Sequence, residues 1–232
     1  MLRLFILTLL GITSVLKAQS GSESLEVSPR YFEDQFYLGI TYNFLLKKPE
    51  EVKQQNLSYG LRAGMIKDIP LNASRTIGLG LGLGLGLNTY YTNMEALETA
   101  DGIQYAVINS NRTYKRSKLE THSIELPIEF RWRNSNPREY KFWRIYTGIT
   151  FAYVYDMRSK FVPSDDSGEV TNSFSNPDAR TLQYGITFNF GFNSFNAHVY
   201  YSLTNLLDDT SFIEQESIRM RPLRVGLIFY IL

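Results

Sequence analysis

Large apolar residues alternate with glycine through residues 77–87, which read IGLGLGLGLGL. Successive side chains of a β-strand point to opposite faces, so this run predicts a strand with one continuous apolar face and one bare face. A tilted strand of this length spans about 25 Å, the height of the apolar band of an outer-membrane barrel. We therefore expect a lipid-facing row formed by Ile77, Leu79, Leu81, Leu83, Leu85 and Leu87.

Three other structures fit this run less well. A phosphate-binding loop with the spacing G-x-G-x-x-G is absent, because Leu83 occupies the position of the third glycine. A transmembrane helix needs about 20 apolar residues, and each alternate glycine would cost it about 1 kcal/mol relative to alanine. A strand of a soluble barrel or sandwich stays open on this run alone.

Seven further segments place larger apolar residues at every second position. They are residues 36–44, 57–65, 123–132, 143–155, 182–190, 195–204 and 223–231. Together with the glycine–leucine strand they make eight strands, an even number, as in bacterial single-chain membrane barrels. The predicted fold class is all-β, an eight-stranded antiparallel transmembrane β-barrel of the outer-membrane type.

The predicted connections between these strands alternate in length. The longer ones are residues 45–56, 92–118, 157–180 and 206–216, and the shorter ones are residues 68–75, 134–140 and 191–194. Membrane barrels have short periplasmic turns and longer extracellular loops, whereas a soluble sandwich has no reason to sort its loops in this way. The alternation predicts a bacterial outer-membrane protein with both termini in the periplasm. Aromatic residues near both ends of the strands favour two interfacial girdles.

The first 18 residues have the features of a cleaved signal peptide, with Arg3 near the start, an apolar segment and Ala18 before the expected cleavage site. A short membrane anchor is the alternative for this segment. We expect residues 19–35 to form a periplasmic segment and residues 36–232 to form the barrel.

The signal holds two of the 24 basic and none of the 23 acidic residues, so the mature chain has a formal net charge of −1. This charge does not indicate nucleic-acid binding.

The predicted interior of the barrel contains charged residues from several strands. An eight-stranded barrel has room only for its own side chains, so we expect a plugged lumen. The glycine face of the third strand lies between the strand of Arg62 and the strand of Glu125 and Glu129, and it leaves space for long side chains. Because a buried charge needs a partner, the hypothesis is a structural ion-pair cluster of these three residues, with Arg131 and Arg144 nearby. A proton or ion path through the same residues is the alternative.

The sequence gives little indication of catalysis. The chain has two histidines and no cysteine, which excludes a thiol nucleophile, a disulfide and a thiolate metal site. His198 and Ser202 share the inward face of one predicted strand, as a membrane-lipase pair would, but no orienting acid is evident beside them. The acidic run at residues 165–169 lacks the residue order of a calcium loop. We expect no enzymatic activity, no cofactor, no metal and no small-molecule substrate.

Four segments carry a family resemblance. Residues 31–45 (YFEDQFYLGITYNFL), 123–133 (SIELPIEFRWR), 139–146 (EYKFWRIY) and 225–232 (VGLIFYIL) resemble the PorT-like outer-membrane barrels of Bacteroidota. The resemblance spans roughly residues 31–232. It implies an outer-membrane barrel of a family whose founding member is associated with type IX secretion and, in gliding species, with adhesin delivery. It implies no catalytic residues, since the shared motifs specify strands.

Two functional classes follow from these observations. The first is a non-enzymatic barrel serving as an accessory subunit of a secretion or outer-membrane assembly machine, with outer-membrane lipid and machine subunits as partners. The second is a stand-alone envelope or ligand-binding barrel that acts through extracellular loops such as residues 92–118 and 157–180. A small-solute porin is a third class, and a crowded lumen argues against it.

Overall fold

The computed structural model describes residues 34–134, 143–213 and 216–231. The predicted signal peptide at residues 1–18 and nearly all of the predicted periplasmic segment at residues 19–35 lie outside these ranges. No helix in the described ranges is long and apolar enough to cross a membrane. The described strands, in chain order, are β1 (Asp34–Leu46), β2 (Tyr59–Pro70), β3 (Ile77–Tyr91), β4 (Met94–Thr99), β5 (Gly102–Val107), β6 (Tyr114–Arg133), β7 (Trp143–Pro163), β8 (Asn172–Ser175), β9 (Leu182–Phe192), β10 (Phe195–Ser202), β11 (Phe212–Ile213), β12 (Glu216–Ser217) and β13 (Arg221–Ile231). A short 3-10 helix, Asp165–Ser167, precedes β8.

Eight of these strands form a closed barrel: β1, β2, β3, β6, β7, β9, β10 and β13. Each pairs antiparallel with the barrel strands before and after it in the chain. The first and last strands close the barrel, with Phe36 opposite Ile231. The predicted eight-stranded antiparallel barrel is therefore confirmed, and it begins at Asp34, two residues before the predicted boundary.

Strand β3 contains the glycine–leucine run and shows how the sequence pattern sets the two faces. Along most of the strand glycines occupy the inward positions, while the outward leucines are open to the surroundings of the protein. Leu83 and Leu85 are 59% and 61% exposed. Outward aliphatic and aromatic residues continue on the other barrel strands and form an apolar belt. A continuous apolar surface of this kind is suited to contact with a membrane or a partner.

The connections sort by length between the two ends of the barrel. We call the end with residues 71–76 and 193–194, where β6 also ends and β7 begins, the short-turn end. The opposite end, with residues 47–58, 92–113, 164–181 and 203–213, is the long-loop end. The predicted alternation of short and long connections is thus present.

Two of the predicted loops are wrong in extent. Residues 92–118 and 157–180 were expected as loops, but β6 already begins at Tyr114 and β7 continues to Pro163. The two strands pair with each other beyond the barrel, and β8 adds to the outer edge of β7. In this extension the outward residues are charged rather than apolar, so the hydrophobic period of two ends before the strands do.

The long-loop end carries a second sheet, with the strand order β12-β11-β5-β4. Ala96, Tyr105 and Ile213 lie side by side across three of its strands and are buried. They belong to an apolar core that unites the connections with the barrel rim. Its buried members are Leu45, Val52, Tyr90, Met94, Ala96, Tyr105, Leu119, Val154, Met157, Leu206, Leu207, Ile213, Ile218 and Met220.

Candidate functional site

The interior of the barrel holds a set of buried charged side chains, which we call the lumenal charge network. None of its side chains is more than 9% exposed. Burial of so many charges is costly unless each is compensated by opposite charges or hydrogen bonds. The network consists of five arginines and three acidic residues: Arg62, Arg131, Arg133, Arg144, Arg224, Asp68, Glu125 and Glu129.

Glu125 on β6 lies between two arginines from other strands. Its Oε2 atom is 2.8 Å from Nη2 of Arg62 on β2. Its Oε1 atom accepts a hydrogen bond of 3.1 Å from Nη1 of Arg224 on β13. Because β2, β6 and β13 are not neighbours in the barrel wall, this one carboxylate connects strands across the lumen.

His198 on β10 connects this group to the second part of the network. Its Nε2 atom lies 3.0 Å from Nη1 of Arg62, and its Nδ1 atom lies 2.5 Å from Oδ1 of Asn189 on β9. A guanidinium group can only donate hydrogen bonds, so Nε2 accepts and the ring proton is on Nδ1. Nδ1 then donates to Asn189, whose amide donates onward to Glu129 at 3.3 Å. The hydrogen bonds therefore run in one consistent direction from Arg62 to Glu129.

The second part of the network lies toward the short-turn end. Arg131 donates from Nε to Glu129 at 3.0 Å, and its Nη1 lies 3.4 Å from Oδ1 of Asp68 and 3.0 Å from the side-chain oxygen of Gln35. The other oxygen of Asp68 lies 2.5 Å from Nη2 of Arg133. In this part acidic and basic side chains alternate, which compensates each charge locally.

The bare face of β3 provides the space for two of these side chains. A Cβ atom built on Gly80 would lie 2.6 Å from Nε of Arg131, and one on Gly86 would lie 2.6 Å from Oε1 of Glu125. Real Cβ contacts are not this short, so these side chains occupy the volume that a larger residue on β3 would need. The glycines thus leave space inside the barrel, and the leucines that alternate with them form the apolar surface outside it.

Arg62 uses a different glycine from the one expected. The stem of Arg62 lies over Gly39 on β1, where an added Cβ would meet its Cγ at 2.7 Å. Gly39 and Arg62 are register partners, so the side chain folds across its own pair instead of along the glycine face of β3. Arg62 therefore reaches Glu125 with its stem over Gly39, an arrangement that the strand order alone did not indicate.

Tyrosine rings cover the arginines of the network. The guanidinium carbon of Arg224 lies 4.2 Å from the centre of the Tyr200 ring, and that of Arg131 lies 4.4 Å from the Tyr146 ring. Arg144 lies 6.0 Å from the same Tyr146 ring. Cations at these distances over an aromatic face are stabilised by the ring quadrupole, more so when water is excluded.

The predicted cluster is divided in the structure, and three of its charged members were missed. Arg62 pairs with Glu125, whereas Glu129 pairs with Arg131. Asp68 and Arg133 were missed because the predicted strands ended at residues 65 and 132, before these positions. Extending the first of these strands by three residues and the second by one would have found both. Arg224 lies at an inward position of the predicted strand at residues 223–231, but the alternation gives no information on its partner across the lumen.

The structure does not join His198 and Ser202 into a nucleophile–base pair. The hydroxyl of Ser202 donates to the backbone oxygen of Thr204 at 2.9 Å, while both ring nitrogens of His198 have the other partners described above. Within the described ranges no group of three or more His, Cys, Asp or Glu side chains is arranged to hold a metal ion.

A second polar site lies among the connections of the long-loop end. Arg112 donates to both carboxylate oxygens of Glu169, at 3.1 and 2.6 Å, and also pairs with Glu95. These hydrogen bonds from Arg112 lower the pKa of Glu169 below its usual value. Beside Arg112 is a cavity of about 680 Å³ that Glu51 and Lys53 also line.

One comparison with known proteins identifies a family. The profile described as "Outer membrane protein beta-barrel domain" matches residues 17–208, most of the chain. The matched region contains seven of the eight barrel strands and two strands of the second sheet, β4 and β5. No curated protein matches the chain.

Proposed function

Because the chain belongs to the outer membrane protein beta-barrel domain family, we propose that it is a non-enzymatic barrel with a plugged lumen that works through its long-loop end. Its role is that of an accessory subunit in a secretion or outer-membrane assembly machine. The observation that carries this proposal is the second sheet at the long-loop end, which gives the connections a fixed shape and their own apolar core. A barrel that only filled the membrane would have no need for such a structure.

The filled interior supports a plugged lumen. Tyr37, Tyr90, Tyr146 and Tyr200 are at most 2% exposed, and they lie among the charges of the network. An eight-stranded barrel is only wide enough for its own side chains, so the burial of these tyrosines supports a lumen without a continuous aqueous path.

We expect no stable ion conductance when the purified protein is inserted into planar lipid bilayers. A porin of known conductance inserted under the same conditions is the positive control for the measurement. Reproducible unitary currents from the wild-type barrel would contradict a plugged lumen and would favour the porin class.

The asymmetry of the connections supports an orientation in the bacterial outer membrane. Barrels of this kind have short periplasmic turns and longer extracellular loops. The long-loop end then faces the outside of the cell and both termini face the periplasm. In this orientation the second sheet is accessible to surface proteins and to the outer subunits of a machine.

The outward face of the second sheet offers a surface for a protein partner. Leu97, Gln104 and Phe212 lie in one row on the side opposite the buried row. Leu97 and Phe212 are 40% and 49% exposed, and large exposed apolar side chains flanking a polar one are typical of a small interaction surface. The resemblance to PorT-like barrels supports type IX secretion as the machine concerned.

Affinity purification from the native membrane in mild detergent, followed by mass spectrometry, tests the accessory role. We expect a stoichiometric partner with the wild-type protein and with V170S, which changes an 85% exposed residue outside the strands of the second sheet. The variant L97S/F212S should lose at least three quarters of that partner. A wild-type barrel without any stoichiometric partner would contradict the accessory role. Comparison of the secreted proteins of strains with and without the gene then distinguishes secretion from envelope assembly.

The stand-alone ligand-binding barrel is the second candidate, and one observation favours it. The cavity beside Arg112 is lined by charged, amide and aromatic side chains, including Lys53, Asn93 and Tyr114. Binding sites for small polar ligands combine such groups in a concave surface. A barrel that purifies alone and leaves secretion unchanged would support this candidate.

A further inference from the structure

The outer face of the β6–β7 extension changes from apolar to charged at one level. On β6 the outward residues run from Ile124 to His122, Glu120 and then Lys118 toward the long-loop end. Because β6 and β7 stay paired through the extension, with one shift in register between His122 and Ser123, these charged residues lie directly above the apolar belt. That level is where lipid headgroups meet the wall of an outer-membrane barrel.

Two lysines face each other at this level. Lys118 on β6 and Lys160 on β7 are register partners, so their side chains leave adjacent points on the same face of the sheet. Like charges directly opposite one another across a strand pair are destabilising. Tyr91 extends this row on β3 and Ser173 extends it on β8, so the row contains hydroxyl groups and no acidic residue.

The neighbouring acidic side chain compensates only part of this charge. Glu120 pairs with Lys118 and also lies 3.4 Å from Nε2 of His122. Lys160 has no ion-pair partner among the residues that the structure describes. Lys118 therefore shares its carboxylate with His122, and the ammonium group of Lys160 beside it is left for a further anion to bind.

An apolar groove lies below this row on the same outer surface. It has a volume of about 660 Å³ and is lined chiefly by aliphatic residues, among them Leu61, Leu85 and Leu87. His122 and Tyr155 line it as well, and His122 lies two residues from Glu120 on the outward face. The groove is thus next to the charged level and within the apolar belt.

We propose that Lys118 and Lys160 bind the phosphate group of a membrane lipid whose acyl chain lies in the groove bordered by His122 and Tyr155. Lysine binds phosphate as a point charge, and two lysines on adjacent strands fit the double charge of a phosphomonoester. The tyrosine and serine hydroxyls in the row supply further hydrogen-bond donors. The apolar groove selects a lipid over a soluble phosphate compound. The inference depends on the membrane location of the barrel and is independent of any protein partner.

Lipid titration followed by native mass spectrometry of the mature protein in detergent tests this site. The probes are dioleoyl phosphatidic acid, dioleoyl phosphatidylcholine with the same chains, and inorganic phosphate. We expect phosphatidic acid to bind at least ten-fold more tightly than phosphatidylcholine, and inorganic phosphate to leave this binding unchanged at millimolar concentration. In K118Q/K160Q the affinity for phosphatidic acid should fall about thirty-fold, since each basic residue near an anionic lipid surface contributes roughly a factor of five.

Two further variants separate the site from general charge effects and from misfolding. K47Q/R219Q removes two exposed basic residues at the same end of the barrel, one between β1 and β2 and one between β12 and β13, and should bind phosphatidic acid as the wild type does. K118R/K160R keeps both charges and should retain at least a third of the affinity. Equal binding of the two lipids by the wild type would overturn the proposal, as would an equal loss in K47Q/R219Q. Competition by inorganic phosphate would show a soluble-anion site and would overturn the lipid assignment.

Discussion

Replacing Glu125 with glutamine is expected to lower the free energy of unfolding by about 3–5 kcal/mol. The substitution keeps the shape of the side chain but removes the charge that lies between Arg62 and Arg224. Two guanidinium groups would then remain buried near one another without their shared carboxylate. Breaking a buried ion pair from one side is costly because the remaining charge has lost its solvent and its partner.

Urea unfolding followed by tryptophan fluorescence, together with heat-dependent gel mobility, measures this loss. E98Q is the matched control, since Glu98 is exposed on β4 and its substitution should leave the unfolding midpoint unchanged. The double variant E125Q/R224Q also removes one of the two arginine charges that lose their carboxylate, so it should be more stable than E125Q alone. If E125Q and the wild type unfold at the same urea concentration, the structural role of the network is refuted.

Replacing Gly84 with valine is expected to prevent folding or to destabilise the barrel by about 3 kcal/mol or more. An added Cβ at Gly84 would overlap the hydroxyl oxygen of Tyr37 and would lie 2.7 Å from the backbone oxygen of Ala63. Tyr37 is only 2% exposed and has little room to move away. The clash involves a backbone atom as well, so a change of rotamer cannot relieve all of it.

The refolded fraction in detergent, measured by gel mobility, tests this expectation. L83V changes the adjacent residue on the opposite, outward face of β3 and should refold as the wild type does. Y37F/G84V removes the nearest contacting atom and should recover part of the refolded fraction. A G84V protein with wild-type refolding and stability would show that the lumen beside β3 is not closely packed.

The strand period predicted the barrel well because the membrane imposes it. Every residue that faces lipid must be apolar, so alternation persists along each strand through the apolar belt. This constraint ends above the belt, where outward residues such as Lys118 and Lys160 are charged. The hydrophobic pattern therefore does not reveal the extension of β6 and β7, although the two strands stay paired through it with two shifts in register.

The charge network was predictable only in part for a different reason. Inward positions follow from the strand period, and in the structure Arg62, Glu125 and Glu129 lie inside the barrel. Which of them meet depends on strand tilt, on register and on side-chain direction around a closed wall. The contact between Arg224 and Glu125 joins residues that are far apart in sequence, and no local pattern contains that information. The link through His198 and Asn189 has the same origin.

The closure of the barrel determines the order in which its parts can assemble. Every barrel pairing except one joins barrel strands that are consecutive along the chain. Among these hairpins, β6–β7 has the longest run of paired residues. Such local contacts form quickly, because little chain entropy is lost in bringing their partners together. The remaining seam, β1 with β13, joins the two ends of the barrel sequence, Phe36 with Ile231. We therefore expect folding to begin in local hairpins such as β6–β7 and to end when the seam between β1 and β13 closes, which makes the pairing of the first and last strands the slow step.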